Sequence, residues 1–441
     1  MILCPILRYA VHARPSAKNL LPRKNTMKSK RTSESTNLRS DPICHFYTHH
    51  PYPPPLDNLE PARQLYQNDN VRRAEYHLLW PNKGYRADLN VLVAGCGTFQ
   101  AAKYALGHPA ARVVGIDVST TSLEHTEKLK RQYDLTNLET RQLSIENVAA
   151  LDRQFDHVIC TGVLHHLVDP DTGLRALQSV LRPDGAMYFM VYAPYGRTGV
   201  YMLQDYCRRL GIRPSRQEIT DLVATLKLLP EHHPLLATQG GSREFIDGDA
   251  LADALLNPRD RSYSVPELFN FIESNGLLFG RWHWQAPYLP QCGWINRTPH
   301  ARVLEALSDR DQYIAMELWR GLMSNHSVIV YRSDYHAASF RFDDERYTRY
   351  VPIRLPWTKC LEERLPPGAA GVLFNQLHLF QDLFLIVDEQ EKQLFESIDG
   401  RRSISEILDV VKGKATSTRA KTFFEKLWWY DQVVFDTSNA H

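Results

Sequence analysis

The sequence of 441 residues predicts an α/β protein whose main domain is a doubly wound, Rossmann-like sheet. Short runs rich in β-branched apolar residues alternate with segments of helical periodicity, and this alternation is repeated from residue 89 to residue 192. A glycine turn, GCG, directly follows the first run, and an aspartate follows the second. Parallel strands that are buried on both faces and joined by crossover helices produce this order.

The stretch 89–119 predicts a complete strand–helix–strand unit. Residues 91–94 form the first strand, 99–106 the helix and 112–116 the second strand, and Asp117 lies at the end of that second strand. Glycines after the first strand allow the backbone to approach a ligand closely. An acidic residue about 20 positions further on can accept both hydroxyls of a ribose. The stretch therefore predicts a site for a nucleotide-like ligand.

Three further strands and two helices continue the alternation. The strands are predicted at 138–143, 155–160 and 186–192, and the helices at 122–133 and 170–181. Ligands of doubly wound sheets bind outside the carboxyl ends of the strands. The candidate positions are therefore those that directly follow a strand: 95–98, 117, 144–146, 161–166 and 193–197.

The composition limits the class of protein and its partners. The chain is 43% hydrophobic and 23% charged, with a net charge of +2, so it lacks the basic footprint of a nucleic-acid-binding protein. Its seven cysteines form no CxxC pair, so neither a zinc site nor a disulfide framework is predicted, and we expect a reduced, cytoplasmic setting. No apolar run reaches the roughly 18 residues of a membrane span. We therefore expect no metal, membrane or nucleic-acid partner, and no pattern predicts an oligomeric state.

Four motifs in the order of one family resemble the class I S-adenosylmethionine-dependent methyltransferases. They are AGCGT after the first strand, GIDVS after the second, FDHVICTGVLHHL through the fourth, and LRPDGAMYFMVY through the fifth. The resemblance covers the domain predicted at 88–335. It implies a seven-stranded sheet with helices on both faces, in which 277–284 and 327–331 form the terminal antiparallel hairpin.

The resemblance also implies the cofactor, S-adenosyl-L-methionine, and the residues that bind it. These are Gly95, Cys96, Gly97, Thr98, Asp117, Val118, Ser144, Ile145, Thr161, Gly162, Val163 and His165. Two positions depart from the family pattern. Phe99 replaces the usual third glycine, so we expect it beside the methionine end of the cofactor, where it narrows the turn. Ser144 stands where an acid often contacts the adenine, with Glu146 two residues later.

A nicotinamide dinucleotide is the alternative ligand for such a turn. Its GxGxxG fingerprint requires a glycine at the position that Gln100 occupies here. Phe99 would also crowd a pyrophosphate at the N-terminus of the helix. These residues disfavour a dinucleotide.

The chemistry of methyl transfer requires few catalytic groups. A sulfonium methyl is already activated, so the enzyme mainly aligns donor and acceptor, and it needs a base only when the acceptor must lose a proton. His166 is the candidate base, because histidine titrates near neutral pH; its alternative role is packing or lining the cofactor. Tyr192, Tyr195 and Arg197 follow the fifth strand, where they either hold the acceptor or shape the turn.

A helical insertion is predicted at 195–264, with helices at 199–210, 217–229 and 245–255. An insertion at this place roofs the acceptor site in a methyltransferase. The acceptor atom is expected to be O or N, carried by a small molecule or by a peptide or protein. The sequence does not distinguish these acceptors.

The two ends of the chain differ from the central domain. Residues 1–40 form a basic, acid-poor tail, which is a disordered tail, an upstream extension or a transit peptide. Residues 41–87 are an N-terminal arm, extended at its proline-rich part and helical at 60–80. The arm either covers the cofactor pocket or packs against the domain.

A linker is predicted at 336–367 and a small winged-helix-like α+β domain at 368–441. Its IDGRRSISEIL motif is similar to the peptide-chaperone domain of the pyrroloquinoline quinone pathway, which implies a peptide held along a strand edge. DNA binding and simple packing or dimerisation remain alternatives. The chain as a whole is expected to be either an active methyltransferase or an inactive cofactor-binding interaction protein. Deleting the residues after 367 is expected to leave cofactor binding intact.

Overall fold

A computed structural model describes residues 42–237, 248–335, 341–411 and 417–440. The predicted basic tail lies outside the described residues, as do the first residues of the helix predicted at 245–255.

The central domain is a seven-stranded sheet in the order β3-β2-β1-β4-β5-β7-β6. Its strands are β1 Asn90–Ala94, β2 Arg112–Asp117, β3 Leu138–Gln142, β4 Phe155–Thr161, β5 Leu181–Tyr192, β6 Leu277–Trp282 and β7 Asn325–Arg332. The first five strands pair in parallel, whereas β7 is antiparallel to both β5 and β6. This confirms the predicted Rossmann-like class and its terminal antiparallel hairpin.

Both faces of this sheet are buried, as the continuous apolar runs predict. Along β1 the side chains alternate: Val91 and Val93 pack into the core on one face, Leu92 and Ala94 into the core on the other. All four are fully buried. A fully buried Val or Leu stabilises a fold by about 1.5–3 kcal/mol, so this strand anchors both cores.

Helices connect the strands and begin where the sequence supplies caps. The connecting helices are α4 Gln100–Gly107, α5 Thr120–Gln132, α6 Pro170–Ser179 and α11 Val265–Ser274. The Ser119 hydroxyl accepts a hydrogen bond from the backbone of Ser122, and the Asp169 carboxylate accepts one from Thr172. Such caps satisfy backbone N–H groups of the first turn and fix where each helix starts.

The N-terminal arm differs from its prediction. Its helices are α1 Pro42–His49, α2 Glu60–Leu65 and α3 Asp69–Leu79. Residues 45–49 are thus helical rather than extended, and the predicted helix at 60–80 is interrupted. Asn68 causes the interruption, because its side chain caps α3 by accepting a hydrogen bond from the Asn70 backbone.

The insertion after β5 is helical, as predicted. It contains α7 Thr198–Leu210, α8 Arg216–Leu226, α9 Pro234–Ala237 and α10 Gly248–Leu256. Leu203, Leu222 and Leu251 from three of these helices share a small apolar core. The insertion therefore has a core of its own beside the sheet. Helices α12 Ala301–Glu305 and α13 Asp309–Arg320 precede β7.

The segment predicted as a linker, 336–367, contains two strands, β8 Val351–Arg354 and β9 Thr358–Leu361. Strand β8 pairs with β12, Val433–Asp436, whereas β9 pairs with β10, Gly371–Asn375. Pro352 suggested a linker, because proline interrupts a central strand. A two-stranded sheet has only edge strands, and an edge tolerates proline.

The C-terminal unit also contains β11 Phe384–Val387 and the helices α14 Glu389–Glu396, α15 Ile404–Val411 and α16 Ser417–Trp429. The predicted capping box at Ser403 is present: the Ser403 backbone donates to Glu406, and the Glu406 backbone donates to Ser403. The unit contacts the arm, since Asp436 forms an ion pair with Arg73 and its carboxylate lies 3.3 Å from His77 Nε2. Its winged-helix character stays a prediction.

Within the described ranges, no helix is both long enough and apolar enough to cross a membrane.

Candidate functional site

A cleft opens at the carboxyl ends of β1, β2 and β4, where the sequence places its candidate ligand positions. Its lining residues come from seven parts of the chain. They are Ile43, Tyr47, Tyr52, Pro53, Gly95, Cys96, Gly97, Phe99, Gln100, Asp117, Val118, Ser122, Leu143, Ser144, Ile145, Glu146, Thr161, Gly162, Val163, His166, Leu167, Met190, Tyr192, Asp253 and Arg259.

The turn after β1 requires glycine at both of its glycine positions. Gly95 and Gly97 have φ angles of +67° and +55°, a region that side-chain-bearing residues rarely adopt. A Cβ atom on Gly95 would lie 2.3 Å from a methyl carbon of Val163. A Cβ on Gly97 would lie 3.0 Å from the Pro53 side chain. At this turn the backbone therefore packs directly against its neighbours, and a side chain would not fit.

The Asp117 carboxylate is fixed by backbone donors on both sides. One oxygen accepts from the Gly97 N–H at 2.8 Å, and the other accepts from the Ser119 N–H at 2.9 Å. Burial nevertheless raises the pKa of Asp117 above its usual value. A carboxylate has about four acceptor positions, so these bonds orient the group and leave it capacity for ligand hydroxyls.

Twelve of the residues proposed from sequence line this cleft: Gly95, Cys96, Gly97, Asp117, Val118, Ser144, Ile145, Thr161, Gly162, Val163, His166 and Tyr192. Phe99, which replaces the third glycine of the family pattern, and Glu146 also line it. Phe99 is only 3% exposed and stands where α4 begins, against the glycine turn. Glu146 follows Ser144 along the same wall.

Thr98 and His165 lie outside the cleft lining. The Thr98 hydroxyl donates to the Pro53 carbonyl at 2.8 Å, so it holds the arm rather than facing a ligand. His165 is 1% exposed, and its ring lies 3.9 Å from the Tyr192 ring. Burial lowers the pKa of His165 well below its usual value, so the imidazole remains neutral.

Tyr195 and Arg197 also lie outside the lining. Tyr195 is 41% exposed at the surface. The Arg197 guanidinium pairs with Asp260 at 2.9 Å and lies 3.5 Å above the Tyr192 ring. Arg197 thus packs on the Tyr192 ring and pairs with Asp260 rather than lining the cleft.

The cleft is bordered by the arm, which was expected either to cover the pocket or to pack against the domain, but Tyr47 and Asp253 were not among the candidate residues. Tyr47 of α1 donates its hydroxyl hydrogen to the Asp253 carboxylate of α10 at 2.8 Å. The backbone carbonyl of Tyr47 accepts from the Ser119 hydroxyl at 3.1 Å. The arm therefore spans the cleft from β2 to the insertion. The aromatic and proline-rich composition of 45–55 was its only signal in the sequence.

His166 is held in one orientation at the insertion side of the cleft. Its Nδ1 is hydrogen-bonded to the Arg259 carbonyl. Because a carbonyl only accepts, Nδ1 carries the proton and Nε2 has the basic lone pair. The Asp253 carboxyl lies on the same side, and burial raises its pKa. A proton-accepting nitrogen and a buried carboxyl thus share this end of the cleft.

Among the described residues, no group of three or more His, Cys, Asp or Glu side chains is arranged to hold a metal ion.

Comparison with known proteins places the glycine turn and its neighbours in a recognised domain. Residues 92–189 match the family model described as a methyltransferase domain. An uncharacterized protein of Synechococcus sp. is 33% identical over 202 residues, which cover 43% of this chain and 47% of that protein. The ubiquinone biosynthesis O-methyltransferase of Acinetobacter baylyi is 31% identical over 136 residues, 30% of this chain and 55% of that protein. The chain thus matches about half the length of these relatives.

The solved structures extend the likeness beyond the family match. PKMT2 from Rickettsia typhi superposes with a TM-score of 0.58 over 84% of this chain and 75% of its own, at 16% identity. Its complex with AdoHcy gives a TM-score of 0.57 over 82% and 73%, at 15% identity. At such identity the likeness concerns the fold, and it includes parts of the chain outside 92–189.

Proposed function

Since the chain contains a methyltransferase domain on the class I fold, we propose that it is an S-adenosylmethionine-dependent methyltransferase that methylates an O or N acceptor. The observation that carries this proposal is the Asp117 carboxylate, held by two backbone N–H groups beside a glycine turn at the carboxyl edge of the sheet. The acceptor belongs to a small molecule or to a peptide or protein.

The cofactor pose follows from the lining of the cleft. Asp117 accepts hydrogen bonds from the ribose hydroxyls, as acids at this position do in nucleotide-binding sheets. The bare backbone of Gly95 and Gly97 borders the methionine part, and Phe99 closes that end. Val118 and Ile145 supply apolar contacts for the adenine, with Ser144 and Glu146 as polar partners. The arm residues Tyr47, Tyr52 and Pro53 then cover the bound cofactor.

The bound cofactor supplies an activated methyl group on sulfur. The residues of this chain align the acceptor with it and exclude water, since alignment is the main requirement for such a transfer. His166 Nε2 would take the proton of a hydroxyl acceptor as its oxygen gains the methyl group and the bond between that methyl group and sulfur breaks. The Arg259 carbonyl then stabilises the resulting imidazolium by accepting from Nδ1. Tyr192 forms the wall on which His165 and Arg197 pack.

Titration calorimetry of the full chain with S-adenosylmethionine tests the cofactor assignment. We expect one site in the wild type and at least a hundredfold weaker binding in Asp117→Ala, because each hydrogen bond to a charged group contributes about 1.5–3 kcal/mol. Asp205→Ala is the matched control, since the Asp205 side chain is 47% exposed on α7 and its ion pairs among the described residues are with Arg208 and Arg209. Absence of binding by the wild type would refute the proposal.

Turnover distinguishes an active enzyme from an inactive cofactor-binding protein. Formation of AdoHcy is measured with panels of phenols, amines and short peptides, for wild type, His166→Gln and the exposed control His232→Gln. We expect His166→Gln to slow methylation of hydroxyl acceptors by about 10²–10⁴-fold, the usual contribution of a general base. Cofactor binding without AdoHcy formation on every acceptor would favour the inactive alternative.

A further inference from the structure

A second cavity lies against the sheet, apart from the cofactor cleft. Helices α3 and α4 form one side of it, and residues of β4 and β5 form its floor. The segment after β6 and the turn between β8 and β9 complete the enclosure. Gln100 borders both cavities, and its side chain is hydrogen-bonded to Thr161 at 2.8 Å on the cleft side.

The size of this cavity exceeds that of a packing defect. Its volume is about 230 Å³. Voids in protein interiors seldom exceed the volume of one water molecule, whereas an engineered apolar cavity of roughly 150 Å³ binds benzene. The second cavity therefore has room for a molecule of one or two aromatic rings.

The walls of the second cavity combine Leu, Ile, Ala and Pro side chains with aromatic ones. The aromatic lining residues are Tyr66, Tyr76, Tyr85, Tyr104, Tyr188, Trp284 and Trp357. Flat aromatic walls favour a flat ring between them, because offset stacking and edge-to-face contacts add to apolar burial. Tyr85 is 37% exposed, and Arg86 and Ala87 beside it are exposed as well, so the entrance lies at this corner.

Two buried imidazoles supply the polar part of the lining. His157 Nδ1 is 3.0 Å from the Ala186 carbonyl, so it donates there and leaves Nε2 as an acceptor. His283 Nδ1 has no hydrogen-bond partner among the described residues. Burial lowers the pKa of both residues to about 4, which keeps the two rings neutral at pH 7.

The charged groups at the cavity are already compensated or lie near its edge. Glu75 pairs with His108 at 3.0 Å and accepts from the Tyr66 hydroxyl at 2.7 Å. Arg72 pairs with Asp69, and Lys103 and Arg86 are the other cations of the lining. An ionic ligand would lose its hydration among aromatic walls without gaining a dedicated counter-charge, so the lining favours an uncharged one.

We propose that the second cavity binds an uncharged aromatic molecule of one or two rings whose hydroxyl group donates a hydrogen bond to His157. This site goes beyond the proposed methyl transfer and does not depend on it. The ring lies between the aromatic side chains, and the hydroxyl donates to His157 Nε2, the nitrogen that does not face the Ala186 carbonyl.

Calorimetry of the full chain with 2-naphthol and with naphthalene tests this proposal. We expect 2-naphthol to bind at one site. Naphthalene should bind about fivefold more weakly, because it lacks the hydroxyl and one neutral hydrogen bond contributes about that factor in affinity. The substitution His157→Phe should weaken the binding of 2-naphthol but not that of naphthalene, so that the two affinities become equal. Saturating AdoHcy should leave 2-naphthol bound, because the cofactor belongs in the other cleft.

Blocking the entrance locates the site. Ala87→Trp should weaken 2-naphthol at least tenfold, whereas Ala306→Trp, an exposed position outside both cavities, should change nothing. Equal binding to Ala87→Trp and wild type, displacement by AdoHcy, or no binding at millimolar 2-naphthol would each overturn the proposal. Binding of S-adenosylmethionine is measured on the same samples. It tests the proposed function independently of 2-naphthol binding.

Discussion

The two cavities lie along one sheet but are built in different ways. The cofactor cleft is shaped mainly by backbone at the strand ends. Its glycines have left-handed backbone, and its N–H groups hold the Asp117 carboxylate. The second cavity uses side chains packed over the sheet face, with neutral imidazoles in place of carboxylates at its floor. A backbone-built site leaves a short, continuous motif in the sequence. A side-chain-built site is scattered along the chain and leaves none.

The N-terminal arm contributes to both cavities. Its first part covers the cleft through Tyr47, whereas α3 forms a wall of the second cavity. The C-terminal unit contributes to the second cavity alone, through the turn that contains Leu355 and Trp357. The two cavities can therefore be perturbed separately.

Removing residues 368–441 is the most drastic change. The Leu355 backbone donates to the Gln432 carbonyl at 3.0 Å, so the deletion takes away the support of one wall of the second cavity. We expect binding of 2-naphthol to disappear and binding of S-adenosylmethionine to persist, with a lower melting temperature. Calorimetry and circular dichroism measure these quantities. Loss of cofactor binding by a folded truncated chain would show that the two units share one site.

Acid should destabilise the fold through the buried imidazole of the second cavity. The folded pKa of His157 is lowered to about 4 from its usual 6.5, so its contribution is complete above pH 6.5 and is lost as the pH falls toward 4. The loss is about 3 kcal/mol of unfolding free energy. Urea unfolding at pH 7 and pH 4 should show a smaller pH dependence for His157→Phe than for wild type. His232→Gln, at an exposed site, should behave as wild type.

Gly95→Ala should affect the cleft alone. Its Cβ would meet Val163 at 2.3 Å at a φ of +67°, and such backbone strain costs about 2 kcal/mol. We expect about thirtyfold weaker cofactor binding with 2-naphthol binding unchanged. Gly84→Ala is the matched control, since a Cβ there meets nothing within 4 Å. Equal affinities in the two variants would contradict the assigned role of the turn.

Tyr47→Phe should give the smallest effect. It removes the hydrogen bond to Asp253 that ties the arm to the insertion, a contribution of about 1 kcal/mol. Cofactor affinity should fall about fivefold in calorimetry, while the second cavity keeps its ligand. The exposed Tyr206 of α7 supplies the control Tyr206→Phe. An unchanged affinity in Tyr47→Phe would mean that the arm does not close the cleft.

The sheet, the glycine turn and the position of Asp117 could all be predicted from the sequence. Each depends on local properties: apolar runs, glycine at left-handed backbone, and an acid at a strand end. Local patterns misjudged the segment 336–367, because the strand partners of β8 and β9 lie further along the chain.

Which side chains face the cleft depends on tertiary packing. Thr98, His165, Tyr195 and Arg197 follow the correct strands yet point elsewhere, because the arm and the insertion pack around them. The closing contact joins Tyr47 to Asp253, 206 positions apart. The second cavity likewise needs residues of the arm, the sheet and the C-terminal unit together. The direction of a side chain depends on partners that are distant in the sequence. A short stretch of sequence therefore cannot predict it.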